Sequence, residues 1–197
     1  MTHQLNHIVL SAYSHSLSLF GLKLTEKLIN SGNLVSLILS QSAINAAQRE
    51  LKLHIDVQST TTAHESLKDA LELSSSHAKL LSVYFDDEPY SLKLSDIEDA
   101  SKFIICPADI FALSAATQVQ DVSLTSRLAT TFLQEGKDVS LYLAEKRFDT
   151  TLVNLLQKAL ERKIHLRNLA LDKPHLSSSM EVFLDSYIQE ICEEILA

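Results

Sequence analysis

The chain has 197 residues, 46% of them hydrophobic, and its 17 basic and 25 acidic residues give a formal net charge of −8. This length suffices for one domain, residues 1–197, whose core needs neither disulfides nor a metal. No apolar run reaches the roughly 20 residues of a membrane span, so we expect no transmembrane segment. No signal peptide is recognisable, so we expect a cytoplasmic protein. The negative net charge opposes binding to phosphate backbones, so we expect no nucleic-acid partner.

Strand-like and helix-like segments alternate through the first half of the chain. The predicted elements are, in order, a strand at 8–10, a helix at 17–28, a strand at 34–39, a helix at 40–51, a third candidate strand at 54–57 and a helix at 63–73. Gly32 is placed to end the first helix, and Ser40 is placed to cap the second. Between residues 58 and 94 the pattern is weak and predicts only that one helix, followed by a turn at 86–89.

The second half of the chain has clearer periodicity. The predicted elements are a strand at 103–106, helices at 110–116 and 123–134, a strand at 139–143, a helix at 150–161, a strand or extended crossover at 164–171 and a helix from Met180 to Ile195. Pro107 is expected to end its strand, and Gly136 to end the helix before it. The apolar stripe of the C-terminal helix, at spacings of three and four residues, predicts that one side of it is buried.

The two cysteines, Cys106 and Cys192, lie in a strand-like and a helix-like apolar run. Such positions favour buried free thiols over a disulfide. Neither cysteine has the spacing of a metal ligand, so we expect no metal site.

This alternation indicates an α/β protein with a doubly wound, mostly parallel sheet, a Rossmann-like or flavodoxin-like three-layer sandwich. Ligands of such folds bind beyond the carboxyl ends of the strands. The loops in question comprise residues 11–16, 40–42, 107–112 and 144–148.

These loops resemble those of the flavin prenyltransferase (UbiX-type) flavoproteins, which join FMN to a dimethylallyl group for partner decarboxylases. The resemblance spans nearly the whole chain. Its anchors are the Ser-rich turn before Phe20-Gly21, the run Leu39-Ser40-Gln41-Ser42-Ala43 with Glu50 ten residues past Ser40, the segment Pro107 to Ser114, and Arg127 followed by Glu145.

The resemblance implies specific roles for residues in these segments. It implies three catalytic residues, Ser16, Glu50 and Glu145. It implies an FMN site formed by Ser14, His15, Ser16, Ser40, Asp109, Ile110, Phe111, Ala112 and Arg127. It also implies a homo-oligomer, a trimer or a dodecamer, with the flavin site at a subunit interface.

Each of these residues also has an ordinary structural interpretation. Ser14 and Ser16 could cap a helix, and His15 could be a solvent-exposed loop residue. Phe111 could stack on a flavin ring, whereas burial in the core is the more common role of a helical aromatic residue. Glu50 and Arg127 could form a structural ion pair or lie on exposed helix faces.

The chain departs from the family pattern at several positions. The turn Ser11 to Leu17 has no glycine where the family has Gly-x-Ser-Gly-Ala-Ser-Gly, although glycine lets backbone amides approach a phosphate. Asp109 replaces a serine, and a carboxylate repels phosphate. Gln134 and Ala144 stand where the family has a lysine and an arginine. Lys146, Arg147 and Lys173 are candidate replacements for the lost cations.

Two functions remain open from the sequence. The departures favour a divergent UbiX-like homologue that has kept the fold, with a weakened FMN site and impaired or absent prenyl transfer. The alternative is an active flavin prenyltransferase, a transferase acting on FMN. A classical dehydrogenase is disfavoured because the chain has no Gly-x-Gly-x-x-Gly motif.

Overall fold

A computed structural model of the chain describes residues 6–13, 18–50, 52–118, 122–144, 149–169 and 180–197. The strands in these residues are β1 His7–Ala12, β2 Leu34–Leu39, β3 Leu81–Phe85, β4 Lys102–Ala108, β5 Asp138–Leu143 and β6 His165–Asn168. The helices are α1 Ser18–Asn30, α2 Gln41–Glu50, α3 Thr60–Ala70, α4 Ser75–Ala78, α5 Ile110–Thr117, α6 Leu124–Gln134, α7 Thr150–Glu161 and α8 Met180–Leu196.

The six strands form one parallel sheet in the order β3-β2-β1-β4-β5-β6. The chain therefore builds the sheet outward from β1 in one direction and then outward from β4 in the other. Such a reversal opens a crevice at the carboxyl ends of the two central strands. The predicted doubly wound α/β fold is confirmed.

Both faces of the sheet are covered, because successive side chains of each strand point to opposite sides. In β1, Ile8 and Leu10 join the core beneath α1, α2, α3 and α8, while Val9 joins the core beneath α5, α6 and α7. This alternation produces the three layers that the sequence predicts.

The segment 54–57, predicted as a strand, is not one. It runs as irregular chain between α2 and α3, and its polar backbone groups bond to side chains of α3: the Asp56 N–H donates to Ser66 Oγ at 3.2 Å. On the side of β2 away from β1, the neighbouring strand is instead β3, which was not predicted from the sequence. The helix predicted at 63–73 lies at 60–70.

Pro107 does not end its strand, contrary to the prediction. β4 continues to Ala108, and its pairing with β5 shifts register between Ile105 and Ala108. A proline has no N–H to donate, and an irregularity in the ladder accommodates it. The predicted ends at Gly32 and Gly136 are confirmed, since both glycines have positive φ, at 82° and 70°.

Helix α8 closes the layer that contains α1. Ile188, Ile191, Cys192 and Ile195 are buried in the same core as Phe20 of α1, as the apolar stripe predicts. The ammonium of Lys102 donates to the Ile195 carbonyl and fixes the C-terminal turn of the helix to the start of β4. Both cysteines are buried and free, as predicted. In the described part of the chain, no helix has the length and apolar character needed to cross a membrane.

Candidate functional site

Helix α1 packs closely against the sheet at the crevice between β1 and β4. A Cβ on Gly21 would stand only 3.0 Å from Ala12 Cβ and 3.2 Å from the Cys106 carbonyl oxygen. The helix can rest this deeply only because residue 21 has no side chain. Tyr13 follows β1 on one side of the crevice, and Asp109 follows β4 on the other.

Asp109 caps the helix that begins at the crevice. Its Oδ1 accepts the backbone N–H groups of Phe111, at 2.9 Å, and Ala112, at 3.0 Å, and the residue is only 7% exposed. A carboxylate at this position satisfies two amides that helix formation leaves unpaired and interacts favourably with the positive end of the helix dipole. The chain's own negative charge therefore occupies the start of α5.

Phe111 lies in the first turn of α5 and is 66% exposed. The expectation of a core aromatic is therefore wrong: the buried neighbours Ala112 and Leu113 face the core, and the helical turn directs position 111 away from it. Ile110 is half-buried against the core. An exposed aromatic ring in the first turn of a helix that follows a central strand is available to stack on a planar ligand.

A buried polar network lies behind the crevice, at the end of β3. Asp86 is 6% exposed, and its Oδ1 accepts the Thr125 N–H of α6 at 2.8 Å. The Thr125 hydroxyl lies 2.8 Å from Ser11 Oγ of β1, so the network links β1, β3 and α6. Burial raises the pKa of Asp86 above its usual range, and hydrogen bonds from Thr125 and Ser123 offset only part of this rise.

Tyr13 is half-buried between the two acidic groups. Burial, and then the negative charges of Asp86 and Asp109, raise the pKa of its phenol to about 12. Tyr13 therefore remains a neutral hydrogen-bond donor at physiological pH. Neither Tyr13 nor Asp86 is among the site residues predicted from the sequence. The apolar-polar alternation of residues 81–85 is the signal that would have placed Asp86 at a strand end.

Ser40, a predicted FMN ligand, has structural partners. Its Oγ donates to the Tyr13 carbonyl at 2.7 Å and accepts the Ala43 N–H at 3.0 Å. It thus caps α2, as predicted, and also fixes the loop after β1 against the end of β2.

Arg127, the predicted cationic FMN ligand, is turned toward the loop after β3. Its guanidinium donates to the carbonyl oxygens of Pro89 and, at 3.0 Å, Leu92, and it lies 5.2 Å from the ring centroid of Tyr90. These two hydrogen bonds and the cation–π contact with Tyr90 stabilise the loop 89–92.

Several predicted site residues lie outside the described residues: Ser14, His15, Ser16 and Glu145. Glu50 is the last residue of α2, and only its backbone is described. The proposed cations Lys146, Arg147 and Lys173 are likewise outside. The roles of these residues stay predictions.

A second polar cluster lies at the opposite edge of the sheet. His7 Nδ1 lies 2.7 Å from Asp99 Oδ1, and His7 Nε2 lies 3.0 Å from Ser36 Oγ. The order of the groups is that of a serine-hydrolase triad, but Ser36 is buried at 3% exposure and the Asp99 side chain is 64% exposed. A substrate in solvent could reach the Asp99 carboxylate but not the Ser36 hydroxyl, so the cluster is not arranged for hydrolysis. Its hydrogen bonds instead connect β1 and β2 to the turn before β4. No three His, Cys, Asp or Glu side chains in the described ranges are grouped to hold a metal ion.

Solved structures similar to this chain share its fold along nearly the full length. The crystal structure of AnUbiX (PadA1) in complex with FMN and dimethylallyl pyrophosphate is 16% identical, covers 96% of this chain and 92% of its own, and has a TM-score of 0.74. A dodecameric FMN-dependent UbiX-like decarboxylase from Escherichia coli is 12% identical, with 93% of each chain covered and a TM-score of 0.66.

A third similar structure is the phenylacrylic acid decarboxylase from Aquifex aeolicus, which is 14% identical, with 96% of each chain covered and a TM-score of 0.61. No protein-family model matches the chain. No curated protein sequence matches it either. The resemblance to the UbiX-type flavoproteins is confirmed at the level of the fold.

Proposed function

We propose that this chain binds the ring system of a flavin in the crevice between β1 and β4, and that it does not carry out efficient prenyl transfer. The observation that carries the proposal is the exposed ring of Phe111 in the first turn of α5, the helix that follows β4. A helix-borne aromatic side chain that is left in solvent at a ligand crevice suits a planar heterocycle. The FMN complex among the proteins of the same fold supports a flavin as that heterocycle.

Two of the described residues support binding of a flavin ring, and one argues against a phosphate at the start of α5. Phe111 offers a stacking surface, and Tyr13 offers a phenolic hydrogen bond. The start of α5, however, carries the Asp109 carboxylate, and a phosphate brought there would meet a like charge.

Prenyl transfer from a phosphate or pyrophosphate donor also needs cations that stabilise the leaving group. At the positions aligned with two family cations, this chain has Gln134 and Ala144. The Arg127 guanidinium is engaged by carbonyl groups of the loop 89–92. These features support a site that holds a flavin without activating a prenyl donor.

The test begins with the absorbance spectrum of the purified protein and with fluorescence titrations of FMN and riboflavin. The protein is then incubated with dimethylallyl phosphate or pyrophosphate and with oxidised or dithionite-reduced flavin, and the flavin mass is measured. We expect saturable flavin binding that Phe111→Ala weakens about ten-fold, given the worth of an aromatic stack, and no prenylated flavin. Leu160→Ala, which removes an equally exposed apolar side chain from α7, is the control.

Two results would overturn the proposal. The absence of binding for both flavins at millimolar concentration would remove the flavin function. Formation of prenylated flavin would establish the alternative, an active flavin prenyltransferase, and loss of that product in Glu50→Gln would then assign Glu50 to the reaction.

We also propose that the protein is a cytoplasmic homo-oligomer. One protein of the same fold is dodecameric, and the exposed apolar residues Phe111 and Val122 lie near the crevice-facing ends of α5 and α6. Size-exclusion chromatography with light scattering distinguishes a monomer of 21.9 kDa from a trimer or dodecamer.

A further inference from the structure

Ser40 lies directly after β2 and is bonded to the end of β1, beside the crevice of the proposed flavin site. We propose that Ser40 is a positioning residue for that site: it does not contact the ligand, and it holds the backbone of Tyr13 so that the phenol can reach the flavin. This inference rests on the proposed flavin binding. It gives Ser40 a role different from the FMN ligand expected from the sequence.

The Ser40 hydroxyl is already engaged as a donor and as an acceptor. A serine hydroxyl carries one proton, and Ser40 donates that proton to the Tyr13 carbonyl oxygen at 2.7 Å. Its oxygen accepts the Ala43 N–H at 3.0 Å, and the residue is only 5% exposed. Phosphate oxygens and flavin carbonyl oxygens are acceptors, so this hydroxyl can bind them only if its bond to Tyr13 breaks.

Ser40 holds two consecutive carbonyl groups at the end of β1. Its backbone N–H donates to the Ala12 carbonyl at 3.2 Å, and its hydroxyl donates to the next carbonyl along the chain, that of Tyr13. From another direction, α1 packs closely against Ala12 at Gly21. The end of β1 is therefore fixed both by α1 and by Ser40.

This fixed backbone matters because Tyr13 carries the phenol that is proposed to donate to the flavin. Its ring is half-buried against the core beneath α5, α6 and α7. A hydrogen bond weakens steeply when its donor moves, and binding groups must be held to within about 0.5 Å. Loss of the Ser40 hydroxyl leaves the Tyr13 carbonyl without this donor, so the segment shifts toward water and the phenol moves with it.

The experiment measures the Kd of riboflavin and of FMN for Ser40→Ala, Tyr13→Phe and the double variant. We expect each single substitution to weaken both flavins about three- to ten-fold, which is the worth of one hydrogen bond. Because both substitutions remove the same contact to the ligand, the double variant should bind no more weakly than Tyr13→Phe. The visible absorbance band of the bound flavin should shift in the same direction in all three variants, which a loss of stability alone would not produce.

Three further variants serve as controls. Ser40→Thr keeps a hydroxyl that can donate and accept, so it should restore the affinity and the absorbance band. Ser40→Gly removes the hydroxyl but keeps a residue that is tolerated at a helix start, and it repeats the test if Ser40→Ala does not fold by circular dichroism. Ser74→Ala removes a capping serine of α4, before β3 at the opposite edge of the sheet, and should leave both Kd values unchanged.

The outcomes separate the two ideas. If neither flavin binds to the unaltered chain, the proposed function fails and this inference falls with it. If the flavins bind but Ser40→Ala or Tyr13→Phe changes neither Kd, or if the effects of the two substitutions add, flavin binding stands and the positioning role is wrong. If Ser40→Ala weakens FMN alone, Ser40 is a phosphate ligand and the inference is overturned.

Discussion

Gly21→Ala is expected to destabilise the protein, although alanine is the better residue for a helix. An interior glycine costs α1 about 1 kcal/mol relative to alanine, which is the gain available from the substitution. Against it, the new methyl group would lie 3.0 Å from Ala12 Cβ, 3.1 Å from Pro107 Cδ and 3.2 Å from the Cys106 carbonyl oxygen. Backbone geometry fixes all three atoms, so no flexible side chain can move aside. Overpacking of this kind costs about 1–3 kcal/mol, and we expect a net loss of about 1 kcal/mol.

The assay is urea unfolding followed by circular dichroism, in which the midpoint should fall without a change in slope. Gly21→Val should lower the free energy of unfolding further, because it adds two more methyl groups to the same contact. Lys27→Ala, on the exposed side of α1, is the control and should change stability by less than about 0.5 kcal/mol. A Gly21→Ala variant stabilised by the full helix-propensity gain would refute the close approach of α1 to the crevice.

Three further predictions test other contacts. Burial raises the pKa of Asp86, so the folded chain binds the carboxyl proton more tightly than the unfolded chain does. The free energy of unfolding should therefore fall as the pH rises above the ordinary aspartate range. Urea titrations at several pH values should show a weaker pH dependence for Asp86→Asn. Arg162→Ala removes hydrogen bonds to the Ala116 and Gln118 carbonyls and should lower the free energy of unfolding by about 2–3 kcal/mol; a loss below about 0.5 kcal/mol would contradict this. His7→Leu should cost about 1–3 kcal/mol by leaving Ser36 without its partner, and adding Ser36→Ala should recover part of that loss. Additive effects of the His7 and Ser36 substitutions would argue against their coupling.

Much of the fold follows from local patterns in the sequence. The limits of β2 and α7 agree with the predictions to the residue, because each combines a clear periodicity with a polar residue or glycine at its ends. β3 was missed because its serine and tyrosine interrupt the apolar run, although their side chains are the half-buried ones of an edge strand. That residues 1–197 form one domain stays a prediction.

The site was harder to predict, because its properties depend on distant parts of the chain. Arg127 is turned away from the crevice by carbonyls of the loop 89–92, 35 or more residues earlier in the sequence. The exposure of Phe111 depends on the orientation that packing of α5 imposes, which a short helix with apolar residues on all sides does not encode. Asp109 was identified as a departure from the family, but only the structure shows which amides it accepts.

The position of α8 has a consequence for synthesis of the protein. Among the described elements it is the last to leave the ribosome, yet Ile188, Ile191 and Ile195 complete the core that β1 and α1 begin. Until then, Phe20 and its apolar neighbours on α1 lack part of their cover, and exposed apolar surface on a nascent chain invites aggregation or chaperone binding. The outer layer over the first half of the sheet can therefore close only after α8 has been synthesised.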